Sequence, residues 1–343
     1  MIKSELIDYL ASDGAELFEK AKRIKAATVG NKVYLRGLIE YSNRCVKNCY
    51  YCGIRAGNSK VVRYEMDDAS VLEAVKYAHD RNFGSIVLQS GERQSREFTL
   101  HIEALLKQIM HITNNEMGIT LSLGEQDEDT FKRWRDAGAK RYLLRIEASN
   151  KALYNQLHPQ SQPYDERLKC LELLKNLNYQ VGTGVMIGLP FQTLEHLAED
   201  LLFFRMMDID MVGMGPYIEH VDTPLYTMNA AIHYTPEQRL DLGLKMVALL
   251  RVMMPNINIA ATTALQTLDP LGREKAIEIG ANVIMPNLTP IPYRENYFLY
   301  DGKPIVDDTF DDTIAALETR LANIGAEIGY NLHGDSLHFK NKH

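Results

Sequence analysis

The chain has 343 residues, 45% hydrophobic and 24% charged, proportions that exclude a disordered segment, a collagen-like repeat or a coiled-coil rod. With 38 Lys and Arg against 45 Asp and Glu the net charge is −7 with neutral His. Nonspecific nucleic-acid binding is mostly phosphate neutralisation by a basic face, and this balance excludes it. The length fits two domains or one large α/β barrel.

The first thirty residues pattern as amphipathic helix. They open on Met1-Ile2-Lys3-Ser4-Glu5, which brings charge at once and leaves no apolar run of signal-peptide length. β-branched or alternating runs then predict strands over 33–42, 85–90, 118–124, 141–147, 180–189, 211–218, 257–264 and 282–287. Between them, helix patterns cover 67–82, 97–114, 128–137, 164–178, 193–208, 236–254 and 272–279, several opened by Asp or Thr as caps. The longest apolar stretch, 246–254, is broken by Arg251 and is far too short to cross a bilayer, so a soluble cytoplasmic protein is expected. Residues 307–328 read as a final helix covering a barrel end, and 331–343 as a loosely held polar tail.

Strand followed by helix throughout, with no Gly/Ser-rich spacer, predicts an α/β fold, a closed parallel (β/α)8 TIM-type barrel over 31–300. Helical extensions would occupy 1–30 and 301–343. Chemistry in such a barrel sits at the carboxyl ends of the strands. The polar residues there are the segment from Cys45 to Cys52, Gln89-Ser90-Gly91-Glu92, Ser122-Leu123-Gly124-Glu125 and Arg145-Ile146-Glu147.

Three of the four cysteines, Cys45, Cys49 and Cys52, are spaced C-x3-C-x2-C directly after the first strand. Three thiolates on one short loop suit an iron–sulfur cluster, zinc or Cu(I). Zinc would normally want a fourth Cys or His. No His precedes His79, and Cys170 falls on an apolar helix face where a free Cys packs as a core residue. A cubane held by three thiolates keeps one open iron, which a small molecule bearing an amine and a carboxylate can chelate.

This spacing, with the aromatic Tyr51 just before the last cysteine, resembles the radical S-adenosylmethionine (SAM) superfamily. Further blocks resemble, over roughly residues 5 to 330, the FeFe-hydrogenase maturases of the HydE family, whose wider relatives are biotin synthase and methylornithine synthase. These blocks are Leu35-Arg36-Gly37-Leu38-Ile39-Glu40, residues 86–92 and 120–125, Asp210-Met211-Val212-Gly213 and residues 282–287. The resemblance implies one 4Fe-4S cluster on Cys45, Cys49 and Cys52, and SAM cleaved reductively to methionine and a 5′-deoxyadenosyl radical. It implies cofactor contacts from Tyr51, Gln89, Ser122, Glu147, Arg167 and Met186, with Gly184 and Gly188 letting backbone approach the adenine. It also implies a substrate pocket of Thr120, Ser122, Arg145, Thr262, Thr263 and Tyr297, and an electron donor of ferredoxin or flavodoxin type.

Plainer readings stand beside these. Arg167 fits a solvated helix position, Arg145 and Glu147 a mutual salt bridge, Gln89 a strand-end amide, and Thr262-Thr263 strand residues by propensity. Tyr297 and Tyr300 fit a lid packed over the barrel mouth. His220 ends a strand near the cavity, whereas His158 and His233 read as loop residues. The Met206-Met207 and Met253-Met254 pairs read as core filling. The stretch 300–328 holds no cysteine, so the second cluster of some HydE-type maturases is not expected. The expected function is assembly of the hydrogenase di-iron subcluster from a small-molecule or organometallic substrate, beside other maturases and away from nucleic acid and membrane. An amino-acid carbon-skeleton rearrangement of the methylornithine-synthase kind is the alternative, and an iron–sulfur carrier protein a third.

Overall fold

The computed structural model describes residues 1–228, 232–303 and 310–342. Eight parallel strands form the frame: β1 (Lys32–Ser42), β2 (Ser85–Ser90), β3 (Gly118–Ser122), β4 (Ala139–Leu143), β5 (Gln180–Thr183), β6 (Met211–Val212), β7 (Asn258–Ile259) and β8 (Val283–Ile284). Each pairs with the next, β8 pairs back with β1, and β7 reaches β8 through the Ala260–Val283 bridge and the 2.9 Å bond from Asn282 N–H to the Ile259 carbonyl. The cylinder therefore closes as the TIM-type (β/α)8 barrel the sequence predicts. Helices Asp68–Asp80, Arg96–Ile112, Glu128–Asp136, Tyr164–Asn176, Leu194–Met206, Pro236–Met253 and Gly272–Ile279 follow the predicted helical patterns closely. Among the described residues no helix is long and apolar enough to cross a membrane.

The period of two sorts the strand residues. Ile86 and Leu88 of β2, Ile119 and Leu121 of β3 and Tyr142 of β4 join the core between sheet and helices. Their alternates turn into the cylinder, and register places Glu40, Gln89 and Ser122 side by side as one polar layer near its mouth.

Most strands end sooner than the apolar runs suggest. After Leu143 the chain still bonds to its neighbour, Leu144 N–H to the Gly182 carbonyl and Glu147 N–H to the Gly184 carbonyl, both at 2.9 Å. Glu147 then turns to a φ of 64°, which no regular strand holds. Met186–Ile187 and Gly215–Pro216 pair as a separate short ladder above β5 and β6. Thr262 and Thr263 leave the strand state that propensity favours: Thr263–Leu268 is helical, and the Thr262 hydroxyl donates to the Met214 carbonyl at 3.2 Å. The N-terminal helix is two, Lys3–Ala11 and Ala15–Thr28. Of the expected final helix, Phe310–Ala322 is observed, 307–309 lie outside the described residues, and Glu327–Ile328 instead pairs with the start of β1.

The polar tail is bound, not loose, and it plugs the amino-terminal end of the barrel. Arg36 donates to the Gly334 carbonyl at 3.1 Å, and Arg141 to the His333 carbonyl at 2.9 Å and to Asp335 Oδ1 at 2.7 Å. Gln180 and Asn258 add 2.7 and 2.8 Å bonds to Asp335 and to the Gly334 carbonyl. Two arginines buried inside the cylinder thus find their acceptors on the tail. Asp335→Ala should lower the unfolding free energy in urea by about 2 kcal/mol, toward the lower side for removing one member of a buried pair because Asp335 is partly in contact with solvent. An unchanged midpoint would remove the plug from the fold's energetics.

Candidate active site at the barrel mouth

The loop after β1 carries the three cysteines, each half-buried and free of disulfides. Cys45 Sγ accepts the Glu92 N–H at 3.3 Å, and Cys49 Sγ donates to Gln162 Oε1 at 3.4 Å. Burial pushes all three thiols up, Cys49 to about 12. They are poor thiolates unless a positive group holds them, and an iron–sulfur cluster is such a group. They do not close on one point, since among the described residues no three Cys, His, Asp or Glu side chains meet as ligands of a single ion. A cubane offers a different iron to each sulfur, and three free thiols on one loop are the soft donors such a cluster takes. Cys170 lies apart, buried in Tyr164–Asn176 with its thiol 3.6 Å from the Gln126 carbonyl.

Beneath the loop runs a chain of charges. Lys47 Nζ reaches Glu125 Oε2 at 2.5 Å and Glu92 Oε1 at 3.2 Å, and Glu125 Oε1 takes the Arg167 Nε. Burial works against the Glu125 carboxylate, yet Arg167 and Lys47 hold it below the ordinary range. Burial and the Glu125 charge push Glu92 up. Arg167 also donates through Nη1 to the Arg145 carbonyl at 2.6 Å, so its solvated helix reading gives way to a buried guanidinium pointing at the site.

Glu147 and Arg145 form the mutual pair: Glu147 Oε2 accepts Arg145 Nε at 3.1 Å and Nη2 at 3.0 Å. Tyr51 and Met186 meet in one apolar cluster with Ala148, Leu153, Leu157 and Tyr217. The phenol of Tyr51 lies 3.2 Å from His158 Nε2. Burial holds His158 down to about 3, so its ring is neutral; Nδ1–H donates to the Tyr154 carbonyl at 2.9 Å, which leaves Nε2 to accept the Tyr51 O–H. His158, set aside as a loop residue, therefore orients Tyr51. The glycines beside Met186 face protein: a Cβ on Gly184 would stand 1.9 Å from the Gly213 carbonyl oxygen, and one on Gly188 2.3 Å from Arg239.

The remaining candidates divide by depth. Gln89 Nε2 donates to the Tyr297 phenol at 3.2 Å, with Ser122 beside Gln89 in register. Tyr297 is buried, and Lys303 from the same segment bonds its carbonyl at 3.1 Å and pairs with Glu40, whose other oxygen takes Asn287 at 3.0 Å. Thr120 lies one layer below Ser122, its hydroxyl accepting Arg141 Nε at 3.1 Å. Thr262 and Thr263 sit at the start of their helix on the opposite wall. Sequence reading passed over Glu40, Asn287, Arg141 and Lys303. Strand parity could have found the first, which shares Gln89's face of the sheet.

A carboxylate behind the site gives a pH signature. Asp200 is buried and accepts Ser149 N–H at 2.7 Å and Ser149 Oγ at 2.6 Å, steadying the turn just after Glu147, while its Oδ2 is without a partner. Burial raises this acid to about 7. The folded state then binds a proton that the unfolded chain has already released, so stability is fully present below about pH 4 and is lost as pH rises toward 7. Asp200→Asn removes that slope, up to about 1.4 kcal/mol per pH unit. Urea unfolding at pH 5 and pH 8 should show the variant gaining on the native chain at pH 8, and parallel values would refute it.

The model of the radical SAM superfamily matches residues 39–204. The chain is 42% identical over 321 residues, 93% of its length and 88% of the relative's, to the FeFe hydrogenase maturase subunit HydE of Thermotoga maritima. To the 3-methylornithine synthase of Methanosarcina acetivorans it is 24% identical over 91% of this chain and 85% of that one. Among solved structures, methylornithine synthase (PylB) superposes with a TM-score of 0.81 at 22% identity, covering 96% of this chain and 94% of that one. The maturase HydG from Carboxydothermus hydrogenoformans gives 0.79 at 19%, covering 96% and 76%. At these identities the two structures speak for the fold alone.

Proposed function

The chain belongs to the HydE family of FeFe hydrogenase maturases within the radical SAM superfamily, and from that premise we propose that it serves assembly of the hydrogenase di-iron subcluster. The observation that carries this is the 42% identity across 93% of the chain, together with a three-thiol loop at the mouth of a closed barrel. When bound, the 4Fe-4S cluster supplies the electron that cleaves SAM to methionine and a 5′-deoxyadenosyl radical.

The chain's own groups bind and orient. Cys45, Cys49 and Cys52 would hold the cluster. Arg167, buried beside the Arg145 carbonyl, would bind the SAM carboxylate, and Glu147 would accept from the amine or ribose in exchange for its bond to Arg145. Tyr51, fixed by His158, and Met186 supply an apolar wall for the adenine. Substrate would sit deeper, against Ser122, Gln89 and Tyr297, with Thr120 and Arg141 below and Thr262 and Thr263 across. Tyr297 is buried, and as a lid over the mouth it would exclude water from a reactive carbon radical. A ferredoxin- or flavodoxin-type donor would supply the electron, and other maturases the next station of the product.

The test is complementation. Anaerobic extract of a strain lacking its HydE should regain FeFe hydrogenase activity when given this protein with SAM and reductant. No recovery, with 3-methylornithine formed from lysine instead, would move it to the other chemistry.

A further inference from the structure

We propose that Gln162 is a positioning residue of the cluster site: with Cys49 a cluster ligand, the Gln162 amide donates an N–H to its sulfur and raises the potential at which the cluster takes up its electron. The role rests on the function proposed above, since it needs a 4Fe-4S cluster held by Cys45, Cys49 and Cys52.

The three thiols are not served alike. Cys45 Sγ accepts the Glu92 N–H at 3.3 Å, and the Ile54 N–H favours the Cys52 thiolate. Cys49 has no backbone N–H bond among the described residues, and its sulfur meets the side-chain amide of Gln162 at 3.4 Å. The Tyr51 phenol also favours the Cys49 thiolate, but its one proton goes to His158 Nε2 at 3.2 Å, where a neutral ring accepts it. The Gln162 amide, buried and with no other side-chain bond among the described residues, is the donor that remains.

Three successive residues of the cysteine loop are each tied to the segment 157–162. Cys49 Sγ donates to Gln162 Oε1, Tyr50 N–H to the Leu157 carbonyl at 2.9 Å, and Tyr51 O–H to His158. Gln162 N–H closes a turn on the Pro159 carbonyl at 2.9 Å, and Pro163, with its fixed φ, follows as the cap of Tyr164–Asn176. The amide is therefore held against the loop from both sides. A thiol donates to the amide oxygen, whereas a ligating sulfur has lost that proton and can only accept. A half-turn of the amide about its last C–C bond puts Nε2 where Oε1 stood and aims an N–H at the sulfur. Such a donor stabilises the reduced cluster, the more negative of the two states, over the oxidised one. One electron enters from an external reductant, and no covalent bond in the protein forms or breaks.

The midpoint potential of the reconstituted holoenzyme without SAM, titrated with dithionite and redox mediators and followed by electron paramagnetic resonance, is the readout. Gln162→Met keeps the length of the side chain and loses the donor. Its reduction equilibrium should fall about three- to tenfold, a tenfold fall being about 59 mV for one electron. Gln162→Lys returns an N–H donor together with positive charge and should bring the potential back to the native value or above it. Iron content and calorimetric SAM affinity should stay native in both. A native potential in Gln162→Met overturns the proposal. So does an equal fall in both variants, or loss of iron from both, which would make Gln162 part of the loop's scaffold. A native protein that takes up no cluster would overturn the functional reading and this role together. The predicted pair of shifts beside failed hydrogenase complementation would sink the maturase reading and uphold the role of Gln162.

Discussion

Cys49→Ala, purified and reconstituted without oxygen, is expected to hold well under one iron per chain where the native protein holds about four, and to cleave no SAM under reduction. Cys49 is the middle donor of three, and no other soft side chain can replace it. Gln162 is its neighbour at 3.4 Å, and the Cys170 thiol is bonded to a carbonyl of a different segment. The two remaining thiols are pushed up by burial, and a cluster must pay for turning them into thiolates with one bond fewer. The barrel should survive, because the half-buried Cys49 is outside the main apolar core and its loop is held by Arg63 and Asn58. A melting temperature of the iron-free variant close to that of iron-free native protein checks this. Retention of a normal cubane absorption would strike Cys49 from the ligands.

Arg167→Ala carries the second large effect. The guanidinium lies under the cysteine loop, bonded to Glu125 and to the Arg145 carbonyl. Its loss leaves two buried carboxylates, Glu125 and Glu92, with Lys47 as the cation they share. Removing one partner from such a set costs about 3 kcal/mol in stability. SAM affinity, titrated calorimetrically on the oxidised holoenzyme, should fall by about ten- to a hundredfold, while iron content stays native. Arg167→Lys restores the charge without the planar fork that bonds in two directions, so only part of the affinity should return. Unchanged SAM affinity in the alanine variant would exclude Arg167 from the cofactor site.

What the sequence reveals follows from the range of the forces involved. The cysteine spacing is local and chemical, so it can be read directly. Strand and helix periods are local too, and the barrel follows from their alternation. Strand ends are harder: residues 144–147 look extended by composition, but Glu147 bends to a positive φ where its carboxylate meets Arg145. Thr262 and Thr263 have strand propensity, and a tertiary bond to the Met214 carbonyl with a helix start overrides it. The tail misleads most. Gly334 and Asp335 are polar and look mobile, and distant partners inside the barrel, Arg36, Arg141, Gln180 and Asn258, make them structural. The Glu40–Lys303 pair joins residues 263 apart in sequence and announces itself in neither segment.

The most direct test of the account is electron paramagnetic resonance of the dithionite-reduced, anaerobically reconstituted protein before and after SAM. A 4Fe-4S spectrum that changes shape when SAM occupies the open iron beside Arg167 and Glu147 is the predicted result. A reduced-cluster spectrum indifferent to saturating SAM, or a protein that takes up zinc and gives no signal, would contradict it.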